Sequence, residues 1–296
     1  IEPDWYDHFL VAELEGKVVA RVLLEAAYPP YSELINLYVL PAYQGRGIGT
    51  SLVQECIGIA DASNCFVMSV MADPVGNLPA HRLYSKFGFK TGILGDPSKQ
   101  RGHMWLFRFS ENSLVSEFIR RHPFAEPSVS ESKVNFHERM LYRMSWRDPQ
   151  TKEKIELYLE GQPSQTPEGT MPRISGISYK ERDLQSEVLV KEQRKTISQG
   201  ENSEFTISFW NLSSIPLRFS FSASVPDGTM LNLLPQYAPS IEIGPRSEKN
   251  IEFEFIWSSG CSLPNFTSFA TAIVTCFFIN EELEHPLFVT AGFEKK

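Results

Sequence analysis

The chain is short of cysteine, of long apolar runs and of positive charge, and each shortage narrows the reading. Its four cysteines, Cys56, Cys65, Cys261 and Cys276, stand at no metal-ligand spacing, which argues against a zinc module. Cys56 and Cys65 read as small buried hydrophobes. Cys261 and Cys276 lie near one another in a β-rich region; a bridge between them is compatible with that spacing, and a cytoplasmic setting, the one we expect, would keep both reduced. No apolar stretch reaches bilayer-crossing length, so no membrane partner is expected. No signal peptide is recognisable, a reading blunted by a chain that opens on Ile1 rather than Met. Lys and Arg number 28 against 36 Asp and Glu, a formal net charge of −8. Nucleic acid is therefore not the expected partner, since phosphate backbones want a basic face. A cationic acceptor such as an amine is compatible with that balance.

What is present supports more than one core. A length of 296 residues predicts two domains or three, and 42% hydrophobic content is enough to fill them. One stretch organises the N-terminal part. Leu34 to Leu40 is an apolar run that reads as a buried strand, and Pro41 closes it. Gly45, Gly47 and Gly49 then alternate through a turn, and Leu52, Val53, Cys56, Ile57, Ile59 and Ala60 follow at helical spacing. A strand, a glycine-rich turn and a helix start together make an anion site. The first amides of a helix lack intrahelical partners, and the helix dipole favours negative charge there. Glycine lets a ligand approach the backbone, and Arg46 adds a guanidinium suited to phosphate. A pyrophosphate is the natural guest.

The spacing is neither G-x-G-x-x-G nor the G-x-x-x-x-G-K-[ST] phosphate loop. Gln44, Gly47 and Gly49 spell Q-x-x-G-x-G, and Asn77, Ala80, Leu83, Tyr84, Gly88 and Phe89 spell N-x-x-A-x-x-L-Y-x-x-x-G-F. Two such motifs in this order, with a plausible strand between them, resemble the GNAT (Gcn5-related N-acetyltransferase) acyltransferases over about residues 7–110. The resemblance implies an α+β fold: a GNAT-like mixed sheet with helices. It also implies acetyl-CoA as co-substrate, without a metal, and direct transfer of the acetyl group to an amine. The family's first strand and the helices that often shape its acceptor pocket have no counterpart here, because only about seven residues precede the first hairpin; that start is expected to be missing or replaced by another segment.

Carried onto this sequence, the resemblance assigns the backbone of Leu37, Tyr38 and Val39 to the pantetheine arm and thioester. It assigns Gln44, Gly45, Arg46, Gly47, Gly49 and Thr50 to the pyrophosphate and Asn77 to the cofactor arm. Tyr84 matches the family tyrosine that gives a proton to the departing thiolate; a phenol is protonated at neutral pH. Glu33 precedes Gln44 by eleven residues, a spacing that resembles the glutamate base of some lysine acetyltransferases. Each has a plainer reading: a core strand, a tight turn, a helix cap at Asn77, a core aromatic at Tyr84, a solvated strand end at Glu33. His81 and His103 are the alternative bases.

The remaining expectations concern organisation. Residues 8–14 and 17–27 read as a hairpin about Glu15-Gly16. Residues 65–72 read as a buried strand, 77–87 as a helix stopped by Gly88, and 89–93 and 103–109 as strands. Residues 111–184 read as a connecting segment of mixed structure, with a short helix at 114–121, a linker around Pro123 and Pro127, and a loop at 161–173. From 185 to 296, alternating runs such as Phe205–Phe209, Leu217–Phe221 and Ile251–Phe255 predict an antiparallel β-sandwich, immunoglobulin-like in pattern alone. Asn211-Leu212-Ser213 and Asn265-Phe266-Thr267 match the glycosylation triplet, to which an intracellular protein would give no use. Three functions are weighed: an acyltransferase whose β-rich part covers the acceptor side, recruits a macromolecule or makes a homodimer; a CoA-binding regulatory module without turnover; and a sandwich that binds carbohydrate or protein.

Overall fold

The computed structural model describes residues 7–28, 31–63, 65, 67–73, 76–94, 104–111, 113–130, 132–160, 173–191, 195–197, 202–224, 231–234, 240–257, 269–278 and 286–295. The described chain falls into two compact units, one built from residues up to Ser110 and one from Glu111 onward.

The first unit is a mixed six-stranded sheet. Strands β1 (Asp7–Leu14) and β2 (Lys17–Tyr28) form the expected hairpin. Its turn carries two left-handed residues, Glu15 at φ 52° and Gly16 at φ 75°, the backbone that matches strand twist in a two-residue loop. Strand β3 (Tyr31–Val39) follows, then helix α1 (Ile48–Ala62), β4 (Val67–Ala72), helix α2 (Leu78–Lys86), β5 (Lys90–Leu94) and β6 (Met104–Phe109). The order across the sheet is β1-β2-β3-β4-β6-β5. Only β3 and β4 run parallel, and α1 is the crossover between them. One face of the sheet supplies Val22, Leu24, Leu34, Met68, Val70 and Leu106, which pack with Leu52, Val53, Cys56 and Ala60 of α1 in a single core. Near the far end of α1, Asp61 accepts two hydrogen bonds from Arg108 of β6, each 3.2 Å. Cys56 and Cys65 are buried and unbridged, and burial pushes both thiols up to about 12, so neither is a nucleophile at neutral pH.

The second unit departs from the sequence reading. Residues 111–184 do not serve as a connector. Helix α3 (Leu114–Arg121) forms as expected and is followed by β7 (Glu126–Val129), β8 (Val134–Phe136), β9 (Arg139–Arg147), β10 (Lys154–Glu160), β11 (Arg173–Glu181) and β12 (Leu184–Val190). These strands run on into β14 (Asn202–Asn211), β16 (Leu231–Leu234) and β18 (Ser247–Trp257) within one nine-stranded sheet. The prolines misled the linker reading: Pro127 lies in β7, an edge strand, where a missing N–H costs no ladder bond. Strands β8 and β9 meet in a turn at His137 and Glu138, both left-handed at φ 48° and 66°. A second, five-stranded sheet joins β13 (Lys195–Ile197), β20 (Pro286–Lys295), β19 (Phe269–Phe278), β15 (Leu217–Ser224) and β17 (Ser240–Ile243). The loop expected at 161–173 lies almost wholly outside the described residues, as do Cys261 and Asn265.

Asn211 is fully buried, and its Nδ2 donates to the carbonyls of Ile215, Ile243 and Gly244 at 2.8, 2.9 and 3.0 Å. The nitrogen a glycan would need is spent holding two turns together. Another polar cluster of this unit pins α3 to the sheet. Arg121 donates to both carboxylate oxygens of Glu181, whose Oε2 also accepts from the Tyr179 hydroxyl. The His122 ring bridges Asp148 at 3.2 Å and Glu181 at 3.0 Å.

Candidate functional site

The site is built where β3 stops pairing with β4. Their parallel ladder runs from Tyr31 opposite Val67 to Leu34 opposite Val70 and ends there. On the other side of β3, Leu23 of β2 faces Ile35 while Arg21 faces Tyr38, so two β3 residues stand against one of β2. That is a bulge, and Asn36 within it takes φ 54°. The bulge bends β3, and from Ile35 to Val39 the β4 side of the strand has no partner strand among the described residues. The backbone groups of the Leu37–Val39 stretch that do not face β2 are thus placed on an open strand edge, the Val39 carbonyl excepted because Gln44 takes it, and an extended polar chain can use such an edge.

The loop that follows is shaped by its own backbone. A 3₁₀ turn (Pro41–Tyr43) leads into Gly45 and Gly47, both left-handed at φ 75° and 83°. Gly47 caps α1, whose first turn has no acidic side chain. The first intrahelical bond runs from the Ser51 amide to the Gly47 carbonyl at 3.0 Å. The preceding amides, at Ile48, Gly49 and Thr50, are the ones a helix start leaves for an outside acceptor. A Cβ at Gly49 would lie 3.5 Å from Leu83 and 3.6 Å from Val39, ordinary contact distances. Strand β3, α1 and α2 therefore converge on this one position. Gln44, Gly45, Arg46, Gly47 and Thr50 are exposed.

Several side chains secure the loop and its surroundings. Gln44 Nε2 donates to the Val39 carbonyl at 3.0 Å, so this residue ties the loop to the strand end. Arg46 lies over the Tyr43 ring at 5.3 Å, and Lys17 Nζ lies 6.0 Å from the same ring. Lys17 was not legible as part of the site: it opens β2 and reaches the loop only because the hairpin brings it there. Asn77 caps α2, its Oδ1 accepting from the Ala80 amide at 3.3 Å.

The two groups expected to move protons are both shifted upward, with burial the leading cause in each. Tyr84, on α2, is 5% exposed and packs against Phe89 with ring centres 5.7 Å apart. Burial pushes its phenol up to about 12, so it stays protonated at any working pH. Glu33 is half-buried, and burial followed by the charge of Glu25 pushes its carboxyl up to about 8. Glu25 stands directly opposite it on β2. That partner has no motif signal; only the strand register reveals it. Of the alternative bases, His81 lies on α2 and His103 lies outside the described residues.

The loop fits a pyrophosphate on the structure's own terms. The loop combines two left-handed glycines, helix-start amides without an intrahelical acceptor, two cations near the Tyr43 ring and a first helical turn with no acidic side chain. Fold and loop together define a mixed α/β domain with a phosphate-cradling strand–loop–helix. Residues 1–89 match the family described as the acetyltransferase (GNAT) family, and this N-terminal region is a GNAT domain. Relatives include a GCN5-like protein acetyltransferase, Rv2170, of Mycobacterium tuberculosis, 30% identical over 91 residues, 31% of this chain and 44% of that protein. YwnH of Bacillus subtilis is 38% identical over 85 residues, 27% of this chain and 51% of that protein. The chain thus spans about half the length of the curated relatives it matches. Among solved structures, PaiA N-acetyltransferase of Thermoplasma acidophilum in complex with coenzyme A aligns at 21% identity and TM-score 0.32, over 36% of this chain and 62% of that one. The ribosomal-protein-alanine N-acetyltransferase of Brucella melitensis aligns at 25% identity and TM-score 0.30, over 34% and 68%.

Proposed function

We propose that the N-terminal unit is an acyl-CoA-dependent N-acyltransferase, with acetyl-CoA as donor and an amine as acceptor. The observation that carries this reading is the parting of β3 from β4 after Leu34 and Val70, immediately before the Gln44–Thr50 loop. An open strand edge beside an anion-binding helix start suits a cofactor with an amide-bearing arm and a pyrophosphate. Acetyl-CoA supplies the acetyl thioester when bound. The amides at Ile48, Gly49 and Thr50 and the cations of Arg46 and Lys17 hold the pyrophosphate, while Gln44 keeps the loop in place. The edge of Leu37–Val39 aligns the arm and offers N–H groups to charge developing on the thioester oxygen. Glu33 accepts the amine proton, and Tyr84 donates one to the departing sulfur. Bringing donor and acceptor together in one site supplies much of the acceleration.

We read the second unit as a β-sandwich that recruits the acceptor. The test of the whole reading is thiol release from acetyl-CoA with a panel of amines. Tyr84→Phe should keep acetyl-CoA affinity and lower kcat by about a hundredfold or more. Release that is indifferent to every amine would refute the transferase reading.

A further inference from the structure

Glu25 and Glu33 are directly opposite in the β2–β3 ladder, and register irregularities bracket the pair on both sides. The row continues across the sheet as Asp7, Glu25, Glu33, Ser69 and Phe107. Leu24 and Leu34, the chain neighbours of the two glutamates, point into the core against α1; strand alternation therefore places both carboxylates on the opposite face. Both are half-buried. Glu33 sits one residue before the last β3–β4 pair, at the mouth of the gap. Like charges directly opposite in a ladder destabilise it, and in a partly dry site they do not both ionise readily.

We propose that Glu25 is a positioning residue that, sharing one proton with Glu33, sets when Glu33 can act as a base. This rests on the acyltransferase reading for its catalytic consequence and on the sheet register for the pair itself. The shared proton is lost only near neutral to mildly alkaline pH, in keeping with the carboxyl of Glu33 being pushed up to about 8 by burial and by Glu25. Asp7 stands one strand further away in the row, and Arg21, exposed, stands opposite Val11 and Tyr38 further along the ladder. Above that pH the pair carries two negative charges. The amine nitrogen then gives its proton to Glu33 as the nitrogen–carbon bond forms. The carbon–sulfur bond breaks, and Tyr84 gives its phenolic proton to the sulfur. Glu33 returns one proton to solvent, and Tyr84 regains one. A doubly charged mouth also attracts acceptors that arrive as ammonium ions, which give one proton to solvent before the neutral nitrogen attacks.

Carboxyl titration of the full chain labelled with carbon-13 at glutamate tests the pair without any substrate. We expect one glutamate to titrate near 8, to vanish in Glu33→Gln and to shift down in Glu25→Gln. Glu25→Asp, which keeps the charge, should retain the raised titration. A Glu33 titration unmoved in Glu25→Gln would overturn the proposal. The pH profile of kcat/KM is measured on the same variants. A limb that shifts down with the titration ties the pair to catalysis. A titration that shifts while the limb stays put upholds the pair and refutes Glu33 as the base.

Discussion

At Gly47 and Gly49 two glycines of one motif do different work. Gly47 is left-handed at φ 83°, whereas Gly49 lies in the helix with ordinary room around its Cα. A side chain at Gly47 faces a backbone penalty of about 1–2 kcal/mol, while alanine at Gly49 fits. Gly47→Ala should therefore weaken acetyl-CoA binding about tenfold, and Gly49→Ala should leave it within about twofold, by calorimetry; 1.4 kcal/mol is a factor of ten. Gly49→Glu, which adds negative charge at the helix start, should abolish binding. The Glu33 carboxyl is raised in the fold, so the folded chain holds a proton that the unfolded chain releases from about pH 4.5. Its stabilising share is complete below that value and is lost as pH rises through about 8. Glu33→Gln should accordingly be more stable than the parent at pH 9 and close to it at pH 4, by denaturant titration.

At the scale of elements, the lesson is what periodicity can carry. The strand–loop–helix and the α2 motif were legible because glycine spacing and apolar pattern are local. The β3 bulge at Asn36, the pairing of Glu25 with Glu33 and the approach of Lys17 to the loop were not, since each depends on which strands become neighbours. Gln44 and Asn77 were read as ligands of the cofactor, Asn77 also as a helix cap, and in the structure their side chains hold Val39 and Ala80. Residues of a binding motif often build the binder. In the second unit, α3 is held by charge. Burial, the largest influence on Glu181, pushes its carboxyl up, but hydrogen bonds from Arg121, Tyr179 and His122 together hold it below the usual range. Its stabilising share is present above the ordinary carboxylate range and lost as pH falls through the folded value. Glu181→Ala removes the acceptor that Arg121, Tyr179 and His122 share, leaves Arg121 with Glu117 and His122 with Asp148, and should cost about 1–3 kcal/mol, read as a lower melting temperature with little change in acetyl-CoA affinity.

For the whole molecule, the break read after residue 110 coincides with the end of the first unit at Ser110, but the reading of residues 111–184 as a connector does not hold. The sequence reading began the β-rich part at 185, whereas the second unit begins at Glu111 and takes in six strands earlier than β13. Pro127 and the serines around it have the composition of a linker; an edge strand tolerates the same composition. Two compact units predict two calorimetric transitions. Acetyl-CoA should raise one of them, by mass action on the unit that binds it, and leave the other in place.

Calorimetric titration of the purified chain with acetyl-CoA, beside the Gly47→Glu variant, tests the proposed acyl-CoA site in the loop from Gln44 to Thr50. The account predicts saturable one-site binding by the parent chain and none by the variant. Absence of binding by the parent, or equal binding by both, would contradict it.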